Sequence, residues 1–417
     1  MEENKSTAGL EFDFVQLRRF PDIEAANLFA HDATDEMILH EADEALASAG
    51  NGTVVVVGDR YGALTLAAAT LHGLRGLRVH QDGLSGERAL AANAARADLA
   101  AAYTSGLLDG GLFAGAKVVL WQLPRSLEEV AEVAELICTH ADPEVRIFAG
   151  GRVKHMTVAM NAVLSRHFSS VTAGRAWRKS RPLAVRGPLK EGAASSFPRR
   201  EFHEELDLWL CAHGATFGGT KIDVGTRFLL EFIPEMRHDT DTAIDLGAGN
   251  GTIAAALATS RPGLHVVATD QSAAAVASTG ATAAANGLQG RIEAVRDDAL
   301  SGFPAESAGL IVLNPPFHVG ASVHAGIALK LFAAAARVLA PGGELWCVYN
   351  RHLDYKPALA KTVGPTRVAG RNSKFTVTVS TKTGHPAADP GAAQLRIGLT
   401  PDRGVSRGVR AHWSCGG

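Results

Sequence analysis

Two short stretches hold residues whose types and spacing can do chemistry. The first is Leu310-Ile-Val-Leu-Asn314-Pro315-Pro316-Phe317-His318. Few structural needs call for Asn-Pro-Pro-aromatic directly behind a buried-strand sequence. Two prolines fix φ and hold a turn stiff. The Asn314 side-chain oxygen and the Pro315 carbonyl can then converge on one small donor with two protons, an exocyclic NH₂ group. Accepting both protons turns the nitrogen lone pair toward an electrophile, and Phe317 can stack on the base that carries the amine. A rigid structural turn is the plainer alternative. His318 stays open between touching the base, helping a proton leave, and a hydrogen-bonded structural role.

The second stretch is Thr242-Ala-Ile-Asp-Leu-Gly-Ala-Gly-Asn-Gly-Thr-Ile253. It starts apolar, passes Asp245, then sets Gly247, Gly249 and Gly251 at alternate positions before helix-favouring residues. That pattern predicts a buried strand, a tight turn and a helix start. Glycine belongs where backbone must approach a ligand or take positive φ, and a helix start aims free N–H groups at it. The spacing is G-x-G-x-G, not the G-x-G-x-x-G of dinucleotide folds. With Asp245 ahead of it, the stretch resembles the first motif of class I S-adenosylmethionine (SAM) methyltransferases. A second strand ends in Asp270, about 20 residues after the glycines, placed to accept both ribose hydroxyls of an adenosine. Its plainer role is a helix N-cap before Ser272. Arg296-Asp297-Asp298-Ala299 follows a third strand, and Asp298 is the better candidate to accept the adenine amino group. A sulfonium is already a good leaving group, so such a site works by positioning and electrostatics. It needs no metal and no nucleophilic side chain.

These residues need a scaffold, and the chain is long enough for two. It has 417 residues, 46% of them hydrophobic, and a formal net charge of −2. That describes a soluble globular protein, cytoplasmic, without a global basic field. Its four cysteines, Cys138, Cys211, Cys347 and Cys415, form no ligand pair and read as free thiols. No apolar signal core or membrane span is evident.

The first half repeats the second in outline. Val54-Val-Val-Val-Gly58 runs through Asp59-Arg60-Tyr61 to Gly62 and an Ala/Leu helix, which sets Gly58 against Gly247 and Gly62 against Gly251. Arg78-Val-His-Gln-Asp82 falls opposite Val266-Val-Ala-Thr-Asp270, and Gln122 opposite Asn314. The offsets predict an internal duplication of one α/β unit. Arg60 stands in the place of Gly249, where a side chain fills the space a ligand needs. The first copy is therefore expected to be degenerate and kept for another task.

Between Gly174 and Arg200 the chain turns basic: Arg175, Arg178, Lys179, Arg181, Arg186, Lys190, Arg199 and Arg200 surround Trp177, with Glu191 opposing. Basic residues interleaved with an aromatic can grip phosphates and stack on bases. A solvated linker is the bland alternative. The expected fold class is α/β, with two tandem Rossmann-like SAM methyltransferase domains, the N-terminal one degenerate. Expected boundaries are a tail over 1–10, a degenerate domain over 11–186 that binds RNA, a linker over 187–205, a catalytic domain over 206–382 and a disordered tail over 383–417.

Asp245-Leu-Gly-Ala-Gly-Asn-Gly with Asn314-Pro-Pro-Phe-His resembles the ribosomal RNA guanine-N2 methyltransferases, which have tandem methyltransferase-like domains with only the second active. Leu17-Arg-Arg-Phe-Pro21, Asp223-Val-Gly-Thr-Arg-Phe228, Ala299-Leu-Ser-Gly302, Asn350-Arg-His-Leu-Asp-Tyr355 and Asn372-Ser-Lys-Phe375 are similar to the large-subunit (23S) branch, with the small-subunit (16S) branch next. The resemblance spans roughly 10–381 and implies SAM-dependent methylation of N2 of one guanine, with rRNA, a ribosomal subunit or an assembly intermediate as partner. It assigns Gly247, Gly249, Gly251, Asp245, Asp270 and Asp298 to the cofactor, and Asn314, Pro315 and Phe317 to the guanine. Arg175, Trp177, Arg178, Lys179 and Arg181 are the candidate RNA contacts. Lys221 and Gly219 depart from the family pattern in the loop before Asp223. Asn-Pro-Pro-aromatic turns also suit protein glutamine amides or the adenine amino group, and a non-catalytic RNA-binding or assembly protein is the rival from another class.

Overall fold

The computed structural model describes residues 11–189, 195–316 and 321–384. In the first half, β1 (Val54–Val57), β2 (Leu77–His80), β3 (Tyr103–Ser105), β4 (Val118–Gln122), β5 (Arg146–Arg152), β6 (Phe168–Ala173) and β7 (Ser180–Pro188) form one sheet in the order β3-β2-β1-β4-β5-β7-β6. β7 is antiparallel to its neighbours β5 and β6, and the other pairs are parallel. All four valines of β1 are buried, as a central parallel strand covered on both faces requires.

A two-stranded sheet follows, β8 (Arg199–His203) with β9 (Leu208–Ala212). The expected linker over 187–205 is thus partly strand, since β7 runs to Pro188 and β8 begins at Arg199. β9 docks on helix Ala273–Ala285 and its C-cap. Ser278, Thr282 and Asn286, spaced to share one helix face, accept the N–H groups of His213, Cys211 and Trp209 at 2.9 Å each.

The second half contains β10 (Thr242–Leu246), β11 (His265–Asp270), β12 (Ile292–Arg296), β13 (Ala308–Leu313), β14 (Leu339–Asn350), β15 (Thr366–Arg371) and β16 (Phe375–Thr381). Their order, β12-β11-β10-β13-β14-β16-β15, repeats the first sheet strand for strand. The duplication expected from the offsets is therefore present in the topology. The register corrects one detail. Val57 pairs with His80 as Leu246 pairs with Thr269. Gln81, not Asp82, therefore holds the place of Asp270, and Asp82 matches Gln271.

In both sheets the strand order reverses between the first and fourth strands of the unit, which opens a crevice at their carboxyl ends. The glycine turn follows β10 and Asn314 follows β13, its neighbour. Helices Ala63–Leu71 and Thr252–Ser260 each start on a left-handed glycine, Gly62 at φ 95° and Gly251 at φ 79°. A Cβ on Gly251 would sit 3.0 Å from Thr279, so glycine is needed there both for φ and for room.

The two copies meet through equivalent loops. Leu84 N–H donates to Gln271 O at 3.0 Å, and Ala273 N–H donates to Asp82 O at 2.9 Å. By register Leu84 matches Ala273, so the pair of bonds is reciprocal, as in a two-fold interface.

Candidate active site

A cleft of about 530 Å³ opens at the carboxyl ends of β10, β11 and β13. Gly247, Ala248 and Gly249 form its floor, and Asp270, Asp298, Asn314 and Pro315 stand along its walls. Gly247 and Gly249 have φ 80° and 57°, and a Cβ on either would meet nothing within 4 Å. These two glycines thus leave open a cradle that side chains would occupy.

The turn is held from both sides. Thr269 O accepts the N–H groups of Gly247 and Ala248 at 2.8 and 3.0 Å. Asp270 Oδ2 accepts Gly249 N–H at 3.1 Å. Thr279 and Thr282 hydroxyls donate to the carbonyls of Gly249 and Asn250 at 3.2 and 2.8 Å. Asn250 Nδ2 reaches Gly219 O and Lys221 O at 2.9 and 3.2 Å. Gly219 and Lys221 therefore hold the turn through backbone carbonyls, which any residue supplies, and Lys221 also lines the cleft.

Asp270 reaches the cleft while Oδ1 takes Ser272 N–H at 2.9 Å. Burial raises its carboxyl above the usual range. The formal N-cap of the next helix is Ser272 itself, whose hydroxyl accepts from Ala275 N–H. Asp245 corrects its expected role. It is fully buried and does not line the cleft. Its Oδ2 accepts Ala254 N–H at 2.9 Å, which ties β10 to the first turn of the next helix. Burial pushes its carboxyl up to about 7, and Oδ1 has no partner. Asp298 lines the cleft with both oxygens 2.6 Å from Lys330 Nζ. A carboxylate has about four acceptor sites, so this pair leaves room for one more donor. Asp297 is spent on its own turn, accepting from Ser301 and Gly302.

Asn314, on the cleft wall, is held through its amide nitrogen. Its Nδ2 donates to Asp223 Oδ2 and to Thr226 Oγ1, both at 2.9 Å. The amide is thereby oriented, and its Oδ1 is buried without a partner. Asp223 also caps helix Val224–Leu230. Asp223 and Thr226 were visible in the sequence only as part of a resemblance, because their partner lies 91 and 88 residues away. Pro315 is buried beside Asn314. Phe317 and His318 lie outside the described residues.

The first copy differs where a cofactor would sit. A Cβ on Gly58 would fall 2.9 Å from Gln122 O, so Gln122 takes the space that is open above Gly247, and the cavity at this end of the first sheet is about 180 Å³ against about 530 Å³ in the second. Asp59, in the turn, takes over the helix tie that Asp245 makes, accepting Thr65 N–H at 2.7 Å.

The basic run is not a linker either. Residues 174–179 close the β6–β7 hairpin, with Trp177 and Ser180 exchanging N–H···O bonds of 2.8 Å. Arg178 and Lys179 occupy the two left-handed positions, at φ 45° and 65°. Arg175, Trp177, Arg178, Lys179 and Arg181 are all exposed. Arg178 lies 4.4 Å over the Trp177 ring and ion-pairs with Glu36. Ser180 pairs with Arg152, which places the hairpin tip at the carboxyl edge of the first sheet. Arg125, Arg152 and Lys154 are close by. Lost hydration and those three charges lower the pKa of His155.

Among the described residues no group of three or more His, Cys, Asp or Glu can hold a metal, and no helix is long and apolar enough to cross a membrane. Cys211 and Cys347 are buried free thiols, and Cys138 is buried as well.

Comparison with known proteins decides the family. The chain is 32% identical over 381 residues to ribosomal RNA large subunit methyltransferase G of Shewanella amazonensis, covering 88% of this chain and 96% of that one. The chain belongs to that family. The Streptomyces coelicolor member is 30% identical over 393 residues, with 88% and 97% covered. The family's RLMG N-terminal domain profile matches residues 5–188, and the methyltransferase small domain profile matches 207–379. A T. thermophilus 16S rRNA N2 methyltransferase, solved in complex with AdoMet and guanosine, superposes with a TM-score of 0.67 at 21% identity, covering 84% of this chain and 92% of that one. Its likeness establishes the shared tandem fold.

Proposed function

We infer that the chain transfers the methyl group of SAM to the exocyclic N2 of a guanine in large-subunit (23S) ribosomal RNA. The observation that carries this is the buried, unpartnered Asn314 Oδ1, held outward by Asp223 and Thr226 beside the open glycine turn. The relatives, named as ribosomal RNA large subunit methyltransferases, supply the RNA class.

The cleft fits SAM on its own terms. Gly247 and Gly249 give its backbone room, Asp270 stands where the ribose hydroxyls need an acceptor, and the Asp298–Lys330 pair marks the adenine end. Bound there, SAM supplies the activated methyl group. Asn314 Oδ1 and the Pro315 carbonyl accept the two N2 protons, which turns the nitrogen lone pair toward the cleft. Positive charge grows on that nitrogen during transfer, Asn314 Oδ1 is already oriented to stabilise it, and the methylated nitrogen then releases one of its two protons to water. Phe317 belongs against the face of the base. A paired guanine presents N2 in the minor groove, so the base must be single-stranded or flipped out to enter.

The first copy grips RNA. Supporting this are the exposed basic hairpin, its stacked Trp177, and the joining cations Arg125, Arg152 and Lys154 on the same sheet edge. A two-residue hairpin turn ordinarily takes Asn-Gly to avoid strain; Arg and Lys at left-handed φ point to selection for charge there. The partner is rRNA, free or within an assembling subunit, and the work is cytoplasmic.

Incubation with methyl-labelled SAM and the RNA and protein fractions of ribosomes tests this reading. Label should enter large-subunit rRNA as N2-methylguanosine. Label in protein, or on adenine, contradicts it.

A further inference from the structure

The first copy has lost its cofactor cradle, yet it reaches into the cradle of the second. Asp82, Gly83 and Ser85 line the cleft beside Gln271 and Ser272, and Pro21, Asp22 and Ile23 line it too, with Ile23 against Gly326 of the helix that carries Lys330. Both first-copy segments therefore border the end of the cleft marked by Asp270 and Asp298.

Asp82 does more than border the cleft. Its Oδ1 accepts the Ser272 hydroxyl at 2.9 Å and Ala274 N–H at 2.8 Å, and its backbone carbonyl accepts Ala273 N–H at 2.9 Å. Ala273 and Ala274 open helix Ala273–Ala285, so Asp82 satisfies first-turn donors of a helix in the other copy. An anion at a helix N-terminus also meets the positive end of its dipole. Return contacts fasten the same seam. Leu84 N–H and the Ser85 hydroxyl donate to the carbonyl and side-chain oxygens of Gln271 at 3.0 and 3.1 Å. Arg296, directly before Asp297 and Asp298, donates to Gln81 O and Asp82 O at 3.2 and 3.0 Å and ion-pairs with Glu87. Residues 270–272 are thus held between their own strand and the first copy.

The geometry points to Asp82 as a positioning residue for the cofactor: it fixes the loop that presents Asp270 to the ribose, so the degenerate copy is a working part of the SAM site. The connection is short and direct. Asp82 binds Ser272, Ser272 N–H binds Asp270 Oδ1, and Asp270 Oδ2 binds Gly249 N–H of the glycine turn. Freed from Asp82, Ser272 and the first turn of that helix lose their outside partner, and Asp270 loses the restraint that keeps its carboxylate toward the cleft. The same linkage explains why a second α/β copy persists after its own cradle has closed at Gly58 and Gln122.

This rests on the SAM-dependent reading above, and the test separates the two. SAM and RNA dissociation constants are measured on the full chain for the wild type, Asp82→Ala and Asp82→Asn, with thermal melting as a check on folding. If the wild type binds no SAM, the functional reading itself fails. If it binds, Asp82→Ala should raise the SAM Kd about tenfold, the size expected for losing charge-assisted bonds, with RNA affinity unchanged. Asp82→Asn keeps an acceptor oxygen at the same place and should remain within about twofold of wild type. A SAM Kd unchanged in Asp82→Ala overturns the proposal. So does an equal loss of SAM and RNA binding, which marks a general structural role, or an Asn variant as weak as Ala. Should Asp82→Ala not fold, Ser272→Ala removes one of the two donors to its carboxylate, and an unchanged SAM Kd there overturns the proposal equally.

Discussion

Asp223 Oδ2 lies 2.9 Å from Asn314 Nδ2 and accepts its proton. A carboxylate can only accept, so the amide nitrogen of Asn314 must face Asp223 and its oxygen must face away. The orientation of the proposed amine acceptor is thereby set by a neighbouring carboxylate. Asp223→Ala should leave SAM affinity near wild type and lower kcat by at least about tenfold, the scale of one charge-assisted hydrogen bond. Single-turnover kinetics at saturating SAM check this. A rise in RNA KM with kcat unchanged would place Asp223 in RNA binding instead.

The stoichiometry of cofactor binding tests the asymmetry of the two copies. Gly58 is closed by Gln122 and Gln81 stands in the place of Asp270, so calorimetric titration should give one SAM per chain. Asp270→Ala removes the acceptor of Gly249 N–H as well as the proposed ribose contact. It should weaken SAM by about a hundredfold or more, the scale of losing several bonds to a charged group. Two sites per chain, or wild-type binding after that change, would refute the assignment.

The hairpin makes an ionic-strength prediction. Changing Arg175, Arg178, Lys179 and Arg181 to Ala should weaken RNA binding and reduce the slope of log K against log salt by roughly 2 to 3, about 0.7 to 0.9 for each lost phosphate contact. Arg178 contributes least, because Glu36 already pairs with it. SAM affinity should not move. An unchanged slope would leave the hairpin an ordinary solvated edge.

Asp245 makes a prediction about stability and pH. Burial pushes its folded carboxyl up to about 7, from an ordinary value of 3.8. The folded state then holds a proton that the unfolded state has released, so this group's contribution to stability is lost as pH rises between those two values. Melting temperatures across that range should fall less steeply for Asp245→Asn than for wild type. An identical slope would show that Asp245 is not protonated in the fold.

Much of this arrangement was legible in the sequence because it depends on local chemistry. The glycine turn, Asp270 at its strand tip and Asn-Pro-Pro each need particular residues at particular spacings, and each lines the cleft. Asp245 misled because an acid on a buried strand looks the same whether it faces a ligand or a helix end, and only the fold shows it bound to Ala254 N–H. The seam at Asp82 was not legible. Its partners lie 190 and 192 residues away, and the offsets alone aligned Asp82 with Asp270 rather than Gln271. The basic run was identified as charge, but its hairpin geometry depends on β6 pairing with β7 and on Arg152 lying beside Ser180.

The central claim is that Asn314 Oδ1 holds the guanine amine for methyl transfer. Its most direct measurement compares wild type and Asn314→Ala on large-subunit rRNA from cells lacking the protein, with mass spectrometry reading N2-methylguanosine at the modified position. The account predicts methylation by the wild type and a rate at least about a hundredfold lower for the variant, the scale seen when one oriented transition-state contact is removed, with SAM Kd within about twofold. Near wild-type turnover by Asn314→Ala, or a product other than N2-methylguanosine, would contradict it.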